Sequence, residues 1–265
     1  MYALLWLPIF LGMLLYAPIL LFGGFVGGIT AIGSSEFLRA CKIPKGKGFY
    51  VVTILHAFLF PLGFAMGQRD LTVLALSLLL LSSLFVIIIL NYSDKGSVPF
   101  ETLMLCFFAG IVFPLFYSSL LLLRDRPNGQ YMVLLPLVAA FATDTGAYFV
   151  GITMGKHRNI LKVSPNKSLE GFLGGIFFGM IGFLLYGWYL QGLMPVSVGM
   201  MGLYGLVSSV MTELGDLSFS LVKRQKGIKD YGNFIPGHGG ILDRFDSMTF
   251  AAPTLLLLVE LFPAF

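Results

Sequence analysis

Uninterrupted apolar runs of about twenty residues recur along the whole chain, and nothing else in the sequence restricts its fold as much. A helix of that length crosses the roughly 30 Å hydrocarbon core and satisfies its own backbone donors and acceptors where water is absent. Candidate spans fall at roughly 2–33, 49–67, 71–91, 99–123, 131–154, 169–190, 195–222 and 241–262. The first is long enough for one tilted helix or two short ones, and Pro18 with Gly23, Gly24, Gly27 and Gly28 marks a candidate break. The expectation is an all-α, polytopic integral membrane protein with eight or nine transmembrane helices. An outer-membrane barrel would instead alternate apolar and polar residues in segments of about ten. With 57% hydrophobic and 11% charged residues in 265, the composition excludes a soluble globular enzyme, a disordered chain and a disulfide scaffold. Cys41 and Cys106 form no metal or redox spacing. The first run has no basic n-region and continues into Glu36, so it is not expected to be a cleaved signal peptide. Nothing in the chain reads as a repeat or a linker, which predicts one membrane domain over 1–265.

The charges divide by face. Arg39, Lys42, Lys45 and Lys47 share one loop, Lys156, Arg158, Lys162 and Lys167 a second, and Lys223, Arg224, Lys226 and Lys229 a third. Even numbers of spans separate these loops, so all three lie on one face, which the positive-inside rule makes cytoplasmic. With Lys95 that face holds 13 basic residues, against Arg69, Arg124 and Arg126 opposite. Orientation alone accounts for most of these charges, although cations at a lipid surface also attract phosphates.

Acids within apolar runs are costly and mark function by default. They are Asp144, Glu213, Asp216, Asp243 and Asp246, with Glu170 at a helix start. Glu213 and Asp216 are three apart and share a helix face, as do Asp243 and Asp246. Glu36, Arg39 and Glu101 sit near membrane edges and are assigned no special role. Carboxylates converging without thiols or a histidine cluster suit a hard cation such as Mg²⁺, shared with substrate phosphates. Internal salt bridging and an ion path remain open alternatives from the acids alone.

The stretch Ser220–Asp246 reads SLVKRQKGIKDYGNFIPGHGGILDRFD. Cations precede a Gly-rich turn, Gly237-His238-Gly239-Gly240, and a helix is expected to open near Ile241. Glycines allow close backbone approach, and a helix N-terminus favours anions. Together with two aspartates this describes a phosphate-plus-metal site. The segment 164–171, SPNKSLEG, offers Ser168 or Pro165 as a helix start with Glu170 on the dipole; whether Lys167 holds a phosphate there is left open.

The same stretch closely resembles the signature of the phosphatidate cytidylyltransferase (CDP-diglyceride synthetase) family, S-x-x-K-R-x4-K-D-x-G-x3-P-G-H-G-G-x2-D-R-x-D. Ser220, Lys223, Arg224, Lys229, Asp230, Gly232, Pro236, Gly237, His238, Gly239, Gly240, Asp243, Arg244 and Asp246 match it. The segments 143–148 and 164–171 also look like family motifs, with Asn166 where Lys is common and Ser168 where Thr is common. The resemblance implies a single membrane-embedded catalytic domain with its signature at 220–246. The implied reaction is CTP plus phosphatidate giving CDP-diacylglycerol and pyrophosphate. It also implies Mg²⁺, a second cation such as K⁺, a homodimer and no nucleic-acid partner. Further implications are a bacterial cytoplasmic (inner) membrane location and an active site facing the cytoplasm. On this reading Asp216, Asp243 and Asp246 bind metal, with Asp144 a further ligand or polar organiser. Lys167, Lys223, Arg224, Lys229, His238, Gly239, Gly240 and Arg244 contact CTP or pyrophosphate oxygens. Catalysis would rest on Asp216, Asp243, Asp246, Lys223 and Arg224. Alternatives are a CTP-dependent polyprenol or phytol kinase, a CDP-archaeol-type synthase and, more distantly, a cation-coupled transporter, which gives no reason for the basic Gly-rich loop.

Overall fold

A computed structural model describes residues 2–43, 48–92, 98–158, 162–233 and 239–265. The described residues are helical with no strand. The helices are α1 (Tyr2–Tyr16), α2 (Ile19–Ala40), α3 (Phe49–Ala65), α4 (Arg69–Leu90), α5 (Phe100–Arg124), α6 (Gly129–Met154), α7 (Leu169–Gln191), α8 (Val198–Gln225) and α9 (Leu242–Leu261). Five of them, α2, α4, α5, α6 and α7, are long and apolar enough to cross a membrane. In α8 and α9 the acids interrupt the apolar pattern.

The first apolar run breaks at Pro18, which caps α2 with an extended backbone and has no N–H to carry a helix through. The 15 residues of α1 rise only about 22 Å, short of the hydrocarbon thickness. Helix α2 does not stop near residue 33 but runs on to Ala40, which carries Glu36 inside it.

The chain forms two compact units. One comprises Met1–Gln130 and Lys226–Arg244. Here α2 packs on α3 through small residues, and a Cβ on Gly27 would lie 2.5 Å from the Phe58 carbonyl oxygen. Polar side chains join the helices: Thr30 Oγ1 donates to the Ala57 carbonyl at 2.7 Å and Ser34 Oγ to the Ala109 carbonyl at 2.6 Å. Helix α5 widens into a π-turn over Phe108–Val112. Arg124 donates to the carbonyls of Leu14 and Leu15 at the end of α1, a cation against unpaired helix-terminal acceptors.

The other unit comprises Tyr131–Gln225 and Phe245–Phe265. Helix α7 packs against α6 and α8 through a stripe of glycines. Gly174 meets Val150, Gly175 meets Glu213 and the Thr143 carbonyl, and Gly179 meets Ser209. Each faces atoms that a Cβ would displace. Tyr204 closes the far end by donating from its hydroxyl to the Phe262 carbonyl at 2.7 Å.

Candidate active site

In the second unit the polar side chains gather around Lys167. Ser168 caps α7, its Oγ accepting from the Gly171 N–H at 3.1 Å with an extended backbone at the cap. This is the N-cap expected from the sequence, and it sets Lys167 immediately ahead of the helix. Lys167 Nζ donates to Glu213 Oε2 at 2.6 Å and lies 2.5 Å from Asp216 Oδ2. Burial lowers the pKa of Lys167, but the Asp216 and Glu213 carboxylates raise it more, leaving it above the ordinary lysine range. The ammonium therefore stays charged. Glu213 is only 1% exposed; its second oxygen, Oε1, faces Gly175 and accepts no hydrogen bond among the described residues.

Asp144 projects from α6 at an open position, where Asp216, Lys167 and Glu213 all act on its charge. Asp246, on α9, is buried. Its Oδ1 accepts from the Ser247 N–H at 2.8 Å, and its Oδ2 lies 4.0 Å from Lys223 Nζ. Asp216 acts on its charge as well. Arg224 is exposed and donates from Nε to the Val163 carbonyl at 3.3 Å. This unit thus brings together Asp144, Lys167, Glu213 and Asp216, with Asp246 beside Lys223.

In the first unit a carboxylate pair organises the start of α9. Gly239 has φ +82°, a left-handed conformation that glycine adopts readily. Asp243 Oδ2 accepts from the N–H groups of Tyr231 at 2.8 Å and Gly240 at 3.0 Å. Glu36 reaches the same turn from α2: Oε1 accepts from the Ile241 N–H at 3.1 Å and Oε2 from the Leu242 N–H at 2.8 Å. A Cβ on Gly240 would lie 2.5 Å from Glu36 Oε2, and one on Gly232 would also collide with that carboxylate. Lys229 and Arg244 are exposed. His238, with Pro236 and Gly237, lies outside the described residues.

Two sequence expectations need revision. The N-terminal donors of α9, read as an anion site, are taken at Gly240, Ile241 and Leu242 by the chain's own carboxylates. Glu36, assigned no role, is 3% exposed and fully engaged. Extending the first apolar run to Ala40 would have marked it as an intramembrane acid.

The donor set is oxygen only, which suits a hard cation. Among the described residues no three Asp, Glu, His or Cys are grouped to hold a metal by themselves. A cation held by one or two carboxylates and completed by phosphate oxygens and water remains compatible. Asp216 and Asp246 fit that mode.

A family model described as the cytidylyltransferase family matches residues 1–262. The chain is similar to a phosphatidate cytidylyltransferase of Bacillus subtilis (strain 168), 32% identical over 242 residues covering 88% of each chain. It is also similar to proteins of that name from Staphylococcus haemolyticus (strain JCSC1435), 32% identical over 95% of this chain and 96% of the relative, and Staphylococcus aureus (strain COL), 33% identical over 94% and 95%.

Proposed function

The chain belongs to the cytidylyltransferase family, and from that premise we propose that it transfers the cytidylyl group of CTP to phosphatidate. A phosphatidate oxygen attacks the α-phosphorus of CTP, a new P–O–P bond forms, the α–β anhydride breaks, and pyrophosphate departs with the electron pair. The products are CDP-diacylglycerol and pyrophosphate. The nucleophile is already anionic at neutral pH, so no strong general base is required. Charge repulsion between phosphates is the main barrier, and positioning with electrostatic stabilisation lowers it.

The observation that carries the reading is the Lys167–Glu213–Asp216 cluster with Asp144, polar chemistry set among apolar helices. Lys223, Arg224 and Lys229 hold CTP or pyrophosphate oxygens, with His238, Gly239 and Arg244 as further contacts. Lys167, anchored by two carboxylates, presents a fixed positive charge. Asp216, Asp243 and Asp246 would hold Mg²⁺, with Asp144 a further ligand or polar organiser, and K⁺ is a second cation of the site. When bound, the metal supplies neutralisation of phosphate charge. The lipid tails stay in the bilayer while CTP arrives from the cytoplasmic side of a bacterial inner membrane, and the working form is a homodimer.

The test is transfer of label from CTP carrying radioactive α-phosphate into an organic-extractable product by the purified protein. Phosphatidate and Mg²⁺ are each supplied or withheld. Label that requires both supports the assignment. Label that requires a polyprenol, phytol or archaeal lipid in place of phosphatidate changes the acceptor, and no label from folded protein overturns the assignment.

A further inference from the structure

The chemistry proposed above gives Glu36 no task, yet this buried acid sits against the most glycine-rich turn of the signature. We propose that Glu36 is a positioning residue: its carboxylate fixes the backbone from Gly240 to Leu242 and thereby the aim of Asp243 and Arg244 on the first turn of α9. The inference rests on the reading that this turn serves nucleotidyl transfer.

Four observations carry it. First, both carboxylate oxygens are engaged, one on the Ile241 N–H and one on the Leu242 N–H. These are helix-terminal donors with no acceptor inside α9. Second, an ordinary N-cap is local, supplied by the residue that opens the helix, whereas this one comes from 205 and 206 residues away. It ties the turn to α2 rather than merely ending a helix. Third, among the described residues glycine stands at Gly232 and Gly240, where a Cβ would meet the Glu36 carboxylate, so two separate stretches of backbone approach the acid. Fourth, the next residue repeats the grip. The Phe37 ring lies 6.4 Å from that of Tyr231 and is framed by Phe108 at 5.4 Å and Phe113 at 5.3 Å. Tyr231 in turn gives its N–H to Asp243. Adjacent residues of one helix thus hold the backbone at 241–242 by hydrogen bonds and Tyr231 by ring packing. Reacting groups displaced by about 1 Å lose on the order of 100-fold in rate, so loosening this turn is expected to act on turnover.

The test uses the full-length protein, purified, as Glu36→Gln and Glu36→Ala. Ser34→Ala in the same helix is the comparison, because it removes the bond to the Ala109 carbonyl on α5 and no carboxylate. Amide exchange at 241–242 reads the clamp independently of activity; kcat and the KM for CTP read positioning. Glu36→Gln keeps an acceptor but brings an amide N–H against a backbone donor. It should speed exchange at Ile241 and Leu242 by at least about tenfold and lower kcat by about tenfold, and Glu36→Ala should lower kcat by about 100-fold. Ser34→Ala should leave both readouts at wild-type values even where it lowers thermal stability. If Glu36→Ala does not fold, Glu36→Gln decides. Wild-type exchange in Glu36→Gln, wild-type kcat despite faster exchange, or equal kcat losses in Glu36→Gln and Ser34→Ala each overturn the proposal. Absence of CTP-dependent turnover in the wild type would instead refute the catalytic reading, and the exchange data would still judge the clamp.

Discussion

Replacing Lys167 by Met tests the central cluster most directly. At an effective dielectric near 20, each contact at the observed 2.5–2.6 Å is worth about 6 kcal/mol of attraction. Taking an ammonium and two carboxylates from water costs several kcal/mol per ion and offsets much of that. What the variant exposes is the asymmetry of the pair. Glu213 is 1% exposed and cannot regain water, whereas Asp216 is 26% exposed and can. Removing the partner of a buried charge costs about 3–5 kcal/mol, and the 28% exposure of Lys167 places this case at the low end, about 3 kcal/mol. On the scaling for chains of this size, that is a fall in Tm of about 6–12 °C. Thermal unfolding of the purified protein followed by intrinsic fluorescence measures it. Lys167→Met/Glu213→Gln should recover at least half of the loss, because neutralising Glu213 removes the stranded charge. The pKa of Lys167 is raised in the fold, so its contribution is fully present below the ordinary value of 10.5 and is lost only on further alkalinisation. The gap between wild type and Lys167→Met should therefore not shrink from about pH 7 to pH 9 through loss of the lysine charge. A Tm change under about 2 °C, or a double variant no more stable than the single one, refutes the argument.

Asp243→Asn and Asp246→Asn should each abolish label transfer from CTP while the folded fraction by size-exclusion chromatography stays near wild type; near-normal turnover in both purified variants would sink the metal assignment. Gly240→Ala meets no backbone barrier, since its φ is not positive, but its Cβ would press on the pinned Glu36 carboxylate at 2.5 Å. A destabilisation of about 1–3 kcal/mol is expected by denaturant titration, and an unchanged midpoint would show that Glu36 can yield. Chelating divalent cations should stop transfer, and restoring Mg²⁺ should return it, because a hard cation shared with phosphates is not retained by protein ligands alone. Full activity after exhaustive chelation would exclude that cation.

Much of the architecture is local and was readable from sequence. Apolar runs of membrane length become helices because the hydrocarbon core leaves the backbone no other partner. Pro18 breaks the first run because it lacks an N–H, and Ser168 caps α7 because its hydroxyl lies within reach of an unpaired donor one turn ahead. The acids of the cluster were visible by their cost, as charges where charges are rare.

What each acid does depended on partners far along the chain. Sequence left open whether Lys167 would meet a phosphate; the fold brings it to Glu213, 46 residues away. Sequence read Gly240 as a point of close approach to phosphate, and the structure shows it also makes room for Glu36, whose own partners lie more than 200 residues on. Periodicity and capping report on atoms within a turn or two of each other. The charge of a buried residue is balanced by whatever the packing of other helices places within about 3 Å, and only the tertiary structure decides that.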